Sequence, residues 1–560
     1  MKLFHGYRTD NIKGDIFGGV TAAVVALPLA LAFGVASGAG PVAGLYGAII
    51  VGFFAALFGG TPAQVSGPTG PMTVVMAAMI TRYSDEPALA FTVVMMGGLF
   101  QIGMGALRLG SYINLVPFPV ISGFMSGIGC IIIALQMAPL LGHSHPGADV
   151  IDSLLALPGD ILAINPHAAL IALGTVLIVY LTPGRVQRFL PAPLLALIVG
   201  TLAVLWLLPK APVLGEIPLG FPEPHLPKLS WDVLTDMVGS ALVLALLGSI
   251  DSLLTSLIAD SVTRSHHESD RELIGQGIGN TIAGLFGAIP GAGATMRTVV
   301  NVRSGGRTPL SGMLHALVLL AVVLGLGPIA EHIPHAVLAG ILIKVGVDII
   351  DWPYLKRVPK APKAGVVMML MVMGLTVFVD LIVAVTVGIV AASLLFVKRM
   401  SDLQLQSVRG GHEEAPLSRR EKKILARYGD AIMYYHMSGP MGFGSAKGLT
   451  RRIAVDSRFK VLVLDLAEVP FIDTSASMAV EEILVKAGEQ GLEVLLIGLV
   501  PQVRAVLDRL GVTNMIPPHH CFDERKPALK YAEKLITGGK PTTGPTGVDA
   551  GVDAGIDPAT

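Results

Sequence analysis

Charge is scarce in this sequence. Only 14% of its 560 residues are Asp, Glu, Lys or Arg, against about 25% in a typical soluble domain. The mean hydropathy of +0.68 excludes an ordinary soluble enzyme. What charge there is balances, with 40 basic and 40 acidic side chains, so neither nucleic acid nor an acidic partner is implied. Cysteine is nearly missing. Cys130 and Cys521 stand in different contexts and cannot form a disulfide framework or a thiolate metal cluster. The first apolar run follows a charged start and is too long for the core of a cleavable leader. No nucleophile–base pair, metal-ligand spacing or phosphate loop falls where chemistry could use it. An enzyme is therefore not expected, nor a cofactor.

The shortage of charge is uneven. Residues 15–400 carry long apolar runs, whereas 401–540 read as a soluble domain. About fourteen apolar segments of helical length recur, near 15–37, 43–59, 67–80, 90–107, 117–141, 167–182, 190–208, 236–260, 272–289, 293–302, 309–328, 336–350, 364–379 and 380–398. The segments beginning near Gly67 and Gly293 are too short to cross about 30 Å of hydrocarbon as whole helices. With the N-terminus inside, the inside loops collect most of the basic residues, among them Lys13, Arg108, Arg185, Arg264, Arg303, Lys356 and Lys398. The outside loops hold little beyond Arg82, Lys210 and Lys228. This bias puts both termini in the cytoplasm and the chain in the plasma (inner) membrane.

An internal repeat agrees with that count. "PFPVISG" at Pro117 and "PHAVLAG" at Pro334 share one pattern, and "SGPTGPMT" (66–73) matches "PGAGATMRT" (290–298) in character. Two halves of seven segments each must be inverted relative to one another. Gly/Pro-interrupted segments at matching places in inverted halves point to a transport site.

A helix that starts in mid-membrane leaves its first N–H groups unpaired and its positive dipole end exposed, which suits an anion. Gly67, Gly70, Gly291 and Gly293 permit close approach to the backbone; Thr69, Thr73, Thr295 and Thr298 offer hydroxyls. For any one glycine, tight helix packing is the plainer explanation. In "LLGSIDSLLTSLIADS" (246–261), Asp251 lies deep in an apolar span, with Thr255 one turn on. A carboxylate with nearby hydroxyls suits Na⁺ or a carried proton, and a structural carboxylate is the alternative. Arg297 lies one turn into the second short helix, either neutralising a substrate anion or facing a vestibule. Lys344 and Asp348 read as a structural i, i+4 pair; Asp260 reads as interfacial and Asp380 as a turn residue.

Residues 431–540 alternate strand and helix patterns, a small α/β domain. Residues 401–430 read as a linker, and 541–560, with its repeated "GVDAG", as a disordered tail. Asp473, Thr474 and Ser475 form a strand-to-helix turn, a helix cap or a regulatory phosphosite.

Several long stretches carry a resemblance: "GDIFGGVTAAVVALPLALAFGVASGAG" (14–40), "FFAALFGGTPAQVSGPTGPMTVVM" (53–76), "SIDSLLTSLIADSVTR" (249–264), "ELIGQGIGN" (272–280) and "GAGATM" (291–296). With the α/β domain they resemble the SulP (sulfate permease, solute carrier 26) anion transporters with a C-terminal STAS domain, and most closely the family's sodium-dependent bicarbonate transporters. The resemblance implies an α-helical polytopic fold of fourteen spans divided into core and gate subdomains. It also implies elevator-like movement and a homodimer held largely through the STAS domain. It places Na⁺ at Asp251 and Thr255 with Thr69 nearby, and bicarbonate at Ala294 and Thr295, next to Gly293. Arg297 departs from the bicarbonate branch, where a small residue stands. Other members carry arginine there and move sulfate, dicarboxylate or halide. Asp251 is the acid of the sodium-linked type, whereas glutamate is common among proton-coupled relatives. The expected function is Na⁺-dependent bicarbonate symport, with proton-coupled sulfate or dicarboxylate transport as the alternative. A membrane-tethered STAS signalling protein is a third reading, though a sensor has no need of two inverted halves with broken spans.

Overall fold

The computed structural model describes residues 10–113, 117–143, 150–187, 190–215, 224, 226–228, 231–379, 381–406, 408–410, 417–453, 456 and 458–538. The tail at 541–560, Lys2, Arg8, Arg188 and Asp380 lie outside the described residues. The chain divides into two compact units, Met1–Ala392 and Ser393–Thr560.

Apolar runs fold as helices because hydrocarbon offers the backbone no other hydrogen-bond partners. The first half holds α1 (Ile12–Ala36), α2 (Pro41–Phe58), α3 (Gly70–Arg82), α4 (Ala88–Ala106), the single turn α5 (Gly110–Ile113), α6 (Phe118–Leu141), α7 (Val150–Leu162), α8 (Pro166–Leu181), the turn α9 (Gly184–Gln187) and α10 (Ala192–Trp206). The second holds α11 (Leu234–Thr263), α12 (Ser269–Leu285), α13 (Thr295–Arg303), α14 (Pro309–Ala330), α15 (His335–Ile349), the turn α16 (Trp352–Leu355), α17 (Lys363–Phe378) and α18 (Leu381–Gln406). Proline opens α2, α3, α6, α8 and α10, where its missing N–H has no intrahelical partner to lose.

Among the described residues, six helices are long and apolar enough to cross a membrane alone. Others are shorter; the 15 residues of α10 rise only about 22 Å. The sequence reading has no segment at α7, and the structure adds one. Its 13 residues include Asp152, Pro158 and Asp160, too short and too polar for a span. It meets α8 at a 115° bend, and the two helices together are apolar enough for one broken span.

Two helix groups form the membrane unit. Helices α1, α2 and α4 pack with α11, α12 and α14, and α6, α8 and α10 pack among themselves and with α15 and α17. These are the core and gate groups. Two short strands, β1 (Ser66–Gly67) before α3 and β2 (Ala292–Gly293) before α13, pair antiparallel, with Ser66 opposite Gly293 and Gly67 opposite Ala292. The chain thus runs in opposite directions at the two breaks, as inverted halves require.

The second unit is a five-stranded sheet in the order β3 (Val408–Gly410), β4 (Ile432–Ser438), β5 (Val461–Glu468), β6 (Glu493–Ile497) and β7 (Cys521–Phe522). β3 is antiparallel to β4 and the rest are parallel. One apolar layer, including Leu462, Leu464, Ile483 and Leu507, lies against α20 (Phe443–Arg452), α21 (Thr474–Glu489) and α22 (Pro501–Arg509). The other, including Val461, Val463 and Leu529, lies against α19 (Arg419–Tyr428) and α23 (Arg525–Thr537). The stretch 401–430, read as a linker, therefore contains the end of α18, an edge strand and a helix. Asp473 caps α21 by accepting the Ala476 N–H at 2.8 Å.

A buried polar network crosses this sheet. Asp465 Oδ2 accepts from Tyr434 Oη at 2.5 Å, His436 Nδ1 at 2.9 Å and Arg525 Nε at 2.7 Å. Burial alone would raise the Asp465 carboxyl. The bonds from His436, Tyr434 and the Ala467 N–H, with the Arg525 charge, instead hold it below the usual carboxylate value. The same burial and the neighbouring carboxylate push the Tyr434 phenol up.

Candidate functional site

Neither half-helix is capped by a side chain. Thr69 is the N-cap of α3 but makes no capping bond. Ala294, the N-cap of α13, has no side chain able to make one. Both helices therefore open on unsatisfied N–H groups at the β1–β2 crossing, with their positive dipole ends there. Glycine is required for the crossing. Gly67 sits at φ 145°, a region that favours glycine. A Cβ on Gly291 would stand 2.6 Å from the Gly67 carbonyl carbon.

Side chains from α11, α12 and α13 lock the crossing in place. Ser252 Oγ accepts the Gly293 N–H at 3.0 Å. Thr255 Oγ1 donates to Gly293 O at 2.9 Å and lies 2.8 Å from Thr295 Oγ1. Asn280 bonds both the carbonyl and the N–H of Gly291, at 3.0 and 2.8 Å. Thr298 Oγ1 accepts from the Val65 N–H at 3.1 Å. On the β1 side, Gln276 Nε2 donates to Ser66 Oγ at 2.6 Å. Glu272 accepts from the Gly60 and Thr61 N–H groups, Gln64 Nε2 and Gln276 Nε2.

Asp251 opens onto a cavity of about 30 Å³ between core and gate helices. A buried water needs roughly 10–15 Å³ measured this way, so the space has room for no more than a very small guest. Pro71, Phe124, Met125, Leu247, Ile250 and Leu254 supply apolar walls. Thr69 and Arg297 are the polar neighbours of Asp251. Arg297 is 2% exposed and its Nη2 donates to Pro68 O. Three enclosed atoms here have no hydrogen-bond partner: Thr69 Oγ1, Asp251 Oδ2 and Arg297 Nη1. Leaving such groups unpaired costs about 1–3 kcal/mol each, more for the charged ones. A carboxylate, a hydroxyl and a guanidinium that lie together with unpaired atoms in the protein interior are suited to charged guests.

The residues singled out from the sequence thus meet in one place. Thr69, Gly293, Ala294, Thr295 and Arg297 lie at the two breaks, and Asp251 and Thr255 lie on the unbroken α11 beside them. Thr73 turns back to bond Thr69 O. Lys344 and Asp348 pair with each other on α15, with Lys344 over the Tyr180 ring. Asp260 bonds His267 at 2.7 Å near the end of α11. Sequence reasoning missed Ser252, Glu272, Gln276 and Asn280. A signal was available: the last three recur every four residues and so share one face of α12, in a stretch otherwise apolar.

Inverted halves, each broken at mid-membrane, crossing around unpaired polar groups define a membrane transporter of the broken-helix class. Residues 12–372 match the sulfate permease family and residues 423–528 match the STAS domain. The chain belongs to the sulfate permease family and is a multi-pass membrane transporter, not an enzyme. It is similar to the bicarbonate transporter BicA of Synechocystis sp., 49% identical over 542 residues that cover 95% of this chain and 96% of that protein. It is 32% identical over 529 residues to the putative sulfate transporter YvdB of Bacillus subtilis, covering 93% and 98%. Among solved structures, the transmembrane domain of a cyanobacterium bicarbonate transporter BicA matches with a TM-score of 0.65 and 54% identity, over 68% of this chain and 100% of that one. SLC26A9 matches with a TM-score of 0.81 at 18% identity, over 95% and 92%, a likeness of fold alone.

Proposed function

We propose that this protein is a secondary transporter that imports bicarbonate together with Na⁺. The observation that carries the reading is the pair of uncapped half-helix N-termini beside a carboxylate with an unpaired oxygen. The N-termini attract an anion and Asp251 attracts a cation. The likeness to bicarbonate transporters over nearly the whole chain favours bicarbonate. Na⁺ binds Asp251 and Thr69 oxygens, with Thr255 rotating from Gly293 to join them. This offsets the carboxylate charge and lets bicarbonate bind beside Gly293 and Ala294 at the uncapped start of α13, where the Thr295 N–H begins the helix. The loaded core then moves against the gate in an elevator-like step, which the apolar cavity wall permits only when the ionic guests are paired. The protein resides in the plasma (inner) membrane with both termini in the cytoplasm and pairs with a second copy through its STAS domain.

Proton-coupled sulfate transport is the second reading, and the buried Arg297 is the feature that favours it. Uptake of labelled bicarbonate and of labelled sulfate into proteoliposomes, with and without an inward Na⁺ gradient, separates the two. Bicarbonate uptake driven by Na⁺ is expected. Sulfate uptake indifferent to Na⁺ would overturn both substrate and coupling ion.

A further inference from the structure

The stretch from the end of α15 to the start of α17 carries four cations, Lys356, Arg357, Lys360 and Lys363. All four are exposed, and among the described residues none of their side chains has an acidic partner. The acids nearby are already engaged. Asp351 caps α16 by accepting the Tyr354 N–H at 3.1 Å, and Asp348 pairs with Lys344. Lys363 is the first residue of α17, at the positive end of the helix dipole, where a cation costs stability. The platform beneath the cations is stiff. Pro353, Pro359 and Pro362 restrict the backbone. Trp352 Nε1 donates to Val347 O at 2.8 Å, and the Tyr354 ring meets Phe118 edge-on at 5.4 Å, which ties the connector to the start of α6. Trp352 is 46% exposed and Phe118 58%. A turn at this place does not itself need the charge. In the internal repeat α15 matches α6, so residues 142–165 are the counterpart of this connector. They include Asp149, Asp152 and Asp160 and neither lysine nor arginine.

We propose that this connector is a binding surface for the headgroups of anionic phospholipids, with Lys356, Arg357, Lys360 and Lys363 meeting the phosphates and Trp352 and Phe118 lying at the acyl-chain boundary. The connector joins two largely apolar helices of a membrane protein, so it lies at one surface of the bilayer, where headgroups are. Basic side chains beside exposed aromatic rings are the pairing that such a boundary favours. The cations follow one open strip of chain, which fits a field of headgroups better than a single soluble anion. Each such cation near an anionic surface strengthens attachment about fivefold. Because the connector belongs to the gate group, the bound lipid holds that group in the bilayer while the core moves.

Native mass spectrometry of the full-length protein, released from vesicles of mixed phosphatidylcholine and phosphatidylglycerol, provides the test. The wild type should retain phosphatidylglycerol in preference. Lys360→Gln should weaken that retention about fivefold. The quadruple variant Lys356→Gln/Arg357→Gln/Lys360→Gln/Lys363→Gln should retain the two lipids alike. Its positions are exposed, so its melting temperature should match the wild type. A control, Arg419→Gln/Arg420→Gln/Lys422→Gln/Lys423→Gln on α19, removes the same charge elsewhere and should keep the preference. Equal loss in the control, or an undiminished preference in the connector variant, would overturn the inference. So would retention lost to inorganic phosphate but not to sodium chloride of the same ionic strength, which would assign the cations to a soluble anion. In proteoliposomes, wild-type bicarbonate uptake should be faster with phosphatidylglycerol present, and the connector variant should be indifferent to it. Wild-type uptake indifferent to the lipid would overturn the hold on the gate. The uptake arm rests on the transport reading and the retention arm does not. Absence of any bicarbonate uptake would therefore sink that reading and leave the lipid surface to be decided by retention.

Discussion

At the scale of single residues, the site depends on what is small or unpaired. Gly291 packs directly on the Gly67 backbone at the crossing, where a Cβ on Gly291 would meet backbone that cannot yield. Gly291→Ala should therefore cost at least the 1–3 kcal/mol typical of overpacking. It should also abolish uptake while the protein still inserts; melting temperature and transport of the purified variant check this. Thr255 acts in the opposite way, by filling a need. It satisfies Gly293 O and meets Thr295. Thr255→Val strands that carbonyl, with an expected loss of about 1–3 kcal/mol and a weakened response to Na⁺, read from uptake against Na⁺ concentration.

At the scale of elements, the two broken helices are legible in sequence because glycine, proline and threonine interrupt apolar runs in both halves. Asp251 is legible for a related reason: an acid within hydrocarbon calls for a function. The scaffold around them is less legible. Ser252, Gln276 and Asn280 act through tertiary hydrogen bonds to segments far away in the chain, and no local pattern announces those partners. Gln276→Leu removes the donor to Ser66 Oγ and to Glu272. Faster amide exchange at residues 64–67 and 291–293 is the expected result, and unchanged exchange would show that β1 is held by other means. Helix α7 escapes a search for whole spans because its 13 residues are too few to make one by themselves. Helix α19 carries a readable signal, the Ser418–Glu421 capping box, inside a stretch whose polarity resembles a linker. The two-residue β7 pairs by virtue of its neighbour β6 rather than any propensity of its own.

At the scale of the whole molecule, two units with separate cores should unfold in separate steps, and acid should act on one of them first. Asp465 lies below its ordinary value in the folded C-terminal unit. Its stabilisation is complete above the unfolded carboxylate value of about 3.9. That stabilisation is lost as pH falls through the lower folded value. Calorimetry between about pH 7 and pH 3 should show the transition of this unit moving down chiefly below about pH 4. Asp465→Asn, which leaves Arg525 and His436 facing a neutral amide, should lower the same transition at pH 7 by about 3–5 kcal/mol.

The most direct measurement compares bicarbonate uptake by wild type and Asp251→Asn in proteoliposomes across a series of inward Na⁺ gradients. Wild-type uptake should rise with the Na⁺ gradient, and the asparagine variant should lose that dependence while remaining folded and inserted. Na⁺-indifferent uptake by the wild type, or Na⁺-driven uptake preserved in Asp251→Asn, would contradict the assignment of Asp251 as the coupling site.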